Sequence, residues 1–151
     1  MKNETLYNKT VDILKDAYFN DTLEHGNDCA CAVGNLIAAA KGVNIIPDNE
    51  GRLSRFTWEQ GYPKWFYSVI DKGCPPTDGA LSEINKTGYT IDDIILIERA
   101  FESTKNDNTE DLAMFNGLMA VIDVLDIIHE NNDTEQTQVT KKRFNKSLQT
   151  V

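Results

Sequence analysis

Residues 90–130 read TIDDIILIERAFESTKNDNTEDLAMFNGLMAVIDVLDIIHE, and the spacing of their apolar residues decides the fold class. Thr90 followed by Asp93 is the aspartate form of a capping box, and it opens a helix that carries Ile91, Ile94, Ile95, Ile97, Ala100 and Phe101. The polar run Lys105-Asn106-Asp107-Asn108 ends that helix. Thr109 then caps the longest one, over 110–130, whose buried face is read as Leu112, Phe115, Leu118, Met119, Ile122, Leu125 and Ile128. Glu110, Asp123, Asp126 and Glu130 fall on its polar side and are read as a solvated face. His129 is read as a surface histidine at a helix end whose dipole favours a cation.

The same periodicity extends towards the N-terminus. Tyr7, Val11, Leu14 and Tyr18 make one apolar stripe, which predicts a helix over 5–19. A second helix is expected over 29–41, capped by Asn27 or Asp28 and stopped by Gly42. Its Ala30, Ala32, Gly34, Ala38, Ala39 and Ala40 let neighbours approach closely, as a central helix requires. Val43–Ile46 and Arg52–Trp58 flank Pro47-Asp48-Asn49-Glu50-Gly51, which is turn chemistry, so a hairpin is expected near 43–58. Pro63 opens a short helix that ends before Gly73, and another covers 80–86. The predicted fold is mostly α: a single compact domain of five or six helices with a small β-hairpin, covering 1–131, followed by a polar basic tail, 132–151, disordered or ordered on a partner.

The chain of 151 residues carries a net charge of −9. Lys141, Lys142, Arg143 and Lys146 against Asp133 and Glu135 give the tail +2, which leaves −11 on the remainder. An acidic body opposes binding along a phosphate backbone, and acidic mimicry of a nucleic acid rests on net charge alone. Three cysteines, an odd number, argue for a reducing compartment, and no run has the length needed to span a bilayer. The expected location is the host cytoplasm or a virion, with no membrane partner.

Two constellations carry chemical alternatives. His25, Cys29, Cys31 and Cys74 have the composition of a zinc site. Residues two apart on a helix point in nearly opposite directions, however, so the set works only if Cys29 lies in a loop. Otherwise Cys31 is a small buried residue packed with Asn35 and Ala38. The aromatic block Phe56, Trp58, Tyr62, Trp65, Phe66 and Tyr67 is read as a plug between hairpin and helices, with one or two rings at an exposed edge. A small-ligand or enzyme site between that block and the Cys31 helix, with Asn35 among its polar groups, is the further alternative. Nucleophile-elbow, phosphate-loop, zinc-protease, EF-hand and dinucleotide patterns are absent from the sequence.

CAVGNLIAA (31–39), TGYTIDDIILIERAFE (87–102) and FNGLMAVIDVLDIIHE (115–130) together resemble a group of uncharacterised small helical proteins of Bacteroidetes bacteria and their phages, over residues 5–131. Some members are labelled as a subunit of the sodium-translocating NADH-quinone reductase. This sequence has neither the ferredoxin-type cysteine spacing nor the flavin fingerprint for that label. The resemblance brings no catalytic residues. It implies a phage-encoded or mobile-element protein, either a virion component or a modulator that binds another protein. The expected function is a non-enzymatic protein-interaction module. Its candidate partner contacts are Trp58, Tyr62, Trp65, Lys141, Lys142, Arg143 and Phe144. No cofactor is expected, with zinc as the alternative, and a homo-oligomer is compatible with the sequence.

Overall fold

The computed structural model describes residues 1–47, 53–55, 65–107 and 109–146. Its helices are α1 (Glu4–Phe19), α2 (Ala32–Lys41), α3 (Asp78–Lys86), α4 (Ile91–Glu102), α5 (Glu110–Ile128) and α6 (Thr134–Lys142), with a π-helix at Tyr67–Asp71. Two short strands, β1 (Ile45–Pro47) and β2 (Leu53–Arg55), pair antiparallel with Ile46 opposite Ser54. The expected hairpin is therefore present. Its turn, and the strand residues after Arg55, lie outside the described residues.

The α1 stripe is as expected, with Tyr7, Val11, Leu14 and Tyr18 all buried. Helix α2 is central: it touches α1, α3 and α4, and Ala32 to Ala38 are buried without interruption. The capping box of α4 is formed by Thr90 and Asp93.

The face of α5 is rotated from the expected one. Ala113, Met114, Gly117, Leu118, Val121, Ile122 and Leu125 are buried, whereas Leu112 is exposed. The cause is the seam with α4. A Cβ on Gly117 would lie 3.0 Å from both the ring and the carbonyl of Phe101, and the Thr104 hydroxyl donates to the Ala113 carbonyl at 2.7 Å. As the chain advances from 101 to 104 its partner recedes from 117 to 113, so the helices run antiparallel with their small residues at the closest approach.

His129 is not at the surface; it is 3% exposed. Its Nδ1–H donates to the Lys2 carbonyl at 2.8 Å, which leaves Nε2 to accept from the Tyr89 hydroxyl at 2.8 Å. Tyr89 in turn lies 2.6 Å from the Thr10 hydroxyl. Asp126 also leaves the expected solvated face: it accepts from Tyr7 at 2.9 Å, Asn131 at 2.9 Å and Thr137 at 2.6 Å. Burial pushes both Tyr7 and Tyr89 up to about 12, so both phenols keep their protons as donors.

Residues 134–146 pack against the body rather than forming a free tail. Asp133 caps α6, Thr137 and Thr140 face inward, and Phe144 is fully buried beside Tyr18. Lys141 pairs with Asp123 at 2.7 Å, Arg143 with Asp12, and Lys146 with Asp21 at 3.5 Å. The acidic body thus serves as the counter-surface for the basic segment. These pairs are partly exposed and contribute under about 1 kcal/mol each, so the anchor is the ring. Phe144→Ala is expected to cost about 3 kcal/mol, read as a shift of the urea midpoint with little change in slope.

Candidate functional site

The loop from Thr22 to Cys31, which runs from α1 into α2, is heavily constrained. Asn27 organises it. Its side-chain oxygen accepts from the Cys29 amide at 3.0 Å, and its amide donates to Glu24 at 3.1 Å and to the Leu53 carbonyl at 3.0 Å. From below, the Asn35 amide donates to the carbonyls of Thr22, Ala30 and Cys31 at 3.0, 3.0 and 3.1 Å. Asn35 therefore staples the loop, and its amide is not available to converge on a ligand.

The loop is also tied to the end of α4. The carboxylate of Glu102 accepts from the Gly26 amide through both oxygens, at 2.9 and 3.1 Å. His25 stacks on Phe101 with centroids 4.3 Å apart. Its Nε2 lies 2.8 Å from the Phe101 carbonyl, one of the orphan acceptors at a helix C-terminus. A carbonyl only accepts, so Nε2 carries a proton. Glu24, His25, Lys105, Asn106, Asp107 and Glu110 rim an open, polar cleft of about 440 Å³ beside this contact.

Helix α2 begins at Ala32 rather than near Cys29, because the N-cap is Cys31: its Sγ accepts from the Gly34 amide at 3.2 Å. The thiol donates to Glu98 Oε2 at 3.2 Å, while Glu98 Oε1 is buried without a hydrogen-bond partner. Burial pushes the Glu98 carboxyl up to about 8 despite the bond from Cys31, and Glu102, Asp28 and Asp71 add to the shift. Burial, then the charge of Glu98, drives the Cys31 thiol well above its usual range, although the Gly34 amide opposes this. Around neutral pH the pair is a neutral thiol against a neutral acid. Such a pair is a poor source of nucleophilic sulfur.

The four residues of the zinc alternative do not assemble. His25 Nε2 faces a backbone carbonyl, Cys31 faces Glu98, Cys29 is buried and Cys74 is exposed. Among the described residues no group of three or more His, Cys, Asp or Glu side chains could hold a metal ion. Of the candidate partner contacts, Trp65 is half-buried and donates through Nε1 to Glu83 at 2.7 Å. Lys141 and Arg143 are in the ion pairs above, Lys142 is exposed and Phe144 is in the core. Trp58 and Tyr62 lie outside the described residues. No helix among the described residues is long and apolar enough to cross a membrane. No family model, curated protein or solved structure matches the chain.

Sequence reasoning missed Glu98, yet a signal existed. It lies four residues after Ile94 and three before Phe101, on the apolar stripe of α4. His129 likewise follows Ile122 and Leu125 at spacings of seven and four. A polar residue in register with a buried stripe marks a satisfied or functional group, not a solvated one.

Proposed function

We propose that this protein is a non-enzymatic protein-interaction module, and that it serves a phage as a structural or accessory protein. The second part rests on the resemblance carried by residues 31–39, 87–102 and 115–130. The first is supported by one observation above the others. The Thr22–Cys31 loop is fixed by its own Asn27 and His25 and by Asn35 of α2 and Glu102 of α4, while the cleft at its outer rim stays open and polar. A rim held in one conformation before contact loses little entropy when a partner binds. The buried thiol and acid beneath it are both neutral, which favours a structural over a catalytic reading of that pair.

This reading moves the partner surface away from the basic segment, whose Lys141 and Arg143 are engaged within the fold, to the rim bearing Glu24, His25 and Glu110. A photo-crosslinking residue placed at Glu24 or Glu110, in cells where the protein is made, is expected to trap one predominant protein. The same residue at Lys86, on α3, is expected not to trap it. Glu24→Lys with Glu110→Lys should abolish the product while the protein still unfolds cooperatively, at a melting temperature only a few degrees lower, since Glu24 also accepts from Asn27 and Glu110 lies in the first turn of α5. Equal trapping from all three sites refutes the rim as the contact. Mass spectrometry of purified particles separates a virion component from an accessory protein.

A further inference from the structure

We propose that residues 131–146 exchange between two copies of this chain, so that the groove on α1 and α5 receives the α6 segment of a second copy. The hinge supplies the first argument. Helix α5 ends in a turn in which the Glu130 amide donates to the Ile127 carbonyl at 3.2 Å and the Asn131 amide to the Asp126 carbonyl at 2.8 Å. Glu130 holds this turn in the left-handed region, at φ 54°, a conformation suited to glycine and strained for glutamate. Opening the turn relieves the strain, and a short strained hinge invites exchange. Residues 129–133, HENND, contain no proline or glycine. The two helices can therefore run on as one when the segment swings out.

The second argument is complementarity. In each ion pair or side-chain bond given above, the segment supplies the donor and the body the acceptor: Thr137 to Asp126, Lys141 to Asp123, Arg143 to Asp12 and Lys146 to Asp21. Phe144 enters the core beside Tyr18, and the Lys146 ammonium lies 4.2 Å above the same ring. An identical segment from a second copy makes the same contacts, so exchange forfeits none of them. The segment offers few competing attachments, since Thr137, Thr140 and Phe144 are its buried residues.

The test uses the full chain in three forms: wild type, Glu130→Gly, and Asp126→Cys with Thr137→Cys in a Cys74→Ser background. Each is followed by sedimentation from micromolar to millimolar concentration. The expected result is a slowly exchanging dimer whose dissociation constant rises about tenfold in Glu130→Gly, because glycine relieves the closed hinge. In that dimer the engineered disulfide joins two chains on a non-reducing gel. A chain that stays monomeric to millimolar concentration overturns the proposal. So does a dimer indifferent to Glu130→Gly whose disulfide closes within one chain.

Discussion

Gly34→Ala is expected to be the most damaging single-methyl change in the described fold. A Cβ at that position would lie 2.4 Å from the Asp28 carbonyl oxygen and 2.6 Å from the Cys29 carbonyl carbon. Both are backbone atoms, so no rotamer change relieves the contact. The loop must lift off α2, and the Cys31 cap and the Asn35 staple are both strained with it. A loss above about 3 kcal/mol is expected, with a melting temperature lower by about 10 °C. Gly79→Ala is the internal control. The nearest atom to its Cβ is 3.9 Å away, and the residue lies within α3. There the same methyl should leave stability unchanged or raise it by up to about 1 kcal/mol, through helix propensity alone. Thermal denaturation of the two variants side by side checks the contrast. Equal, small effects would mean that the loop does not sit on Gly34 as described.

That contrast also marks what was legible in the sequence. Periodicity identified α1, α4 and α5 because their stripes are built from large apolar residues at spacings of three and four. The facing of α5 differs because its closest approach to Phe101 and Thr104 is made at Gly117 and Ala113, which add nothing to a stripe of large apolar residues. Small residues at a seam carry no hydropathy signal; their role is the distance they permit. The start of α2 was misplaced for a related reason. Asn27 and Asp28 are better intrinsic caps than a thiol, but Asn27 is spent on the loop itself, through the Cys29 amide and the Leu53 carbonyl. The cap position passed to Cys31 by tertiary constraint. The basic segment was underestimated because α6 is polar nearly throughout. Its attachment depends on Phe144 and on acids scattered over α1 and α5, a relation between distant positions that a pass along one chain does not expose.

Glu98→Gln is expected to change how stability depends on pH. A free glutamate titrates near 4.5, whereas burial raises Glu98 to about 8 in the fold. Below pH 4.5 both states hold the proton and the residue imposes no penalty. Between 4.5 and 8 the unfolded chain has released the proton and the folded chain has not, so folding takes one up and stability falls as pH rises. Above 8 the loss is complete, on the order of 5 kcal/mol. Glutamine keeps the shape without the charge. The variant should match wild type near pH 4.5 and exceed it by a few kcal/mol near pH 8.5, with the gap opening across that interval. Urea denaturation at half-unit pH steps measures the gap directly, and the difference between the two curves cancels the titration of carboxyls that do not interact with Glu98. Parallel curves would mean that Glu98 finds in the fold the counter-charge or donor that its buried Oε1 lacks. A gap of the expected sign would establish that the chain folds around an uncharged acid at the point where the Thr22–Cys31 loop meets α4.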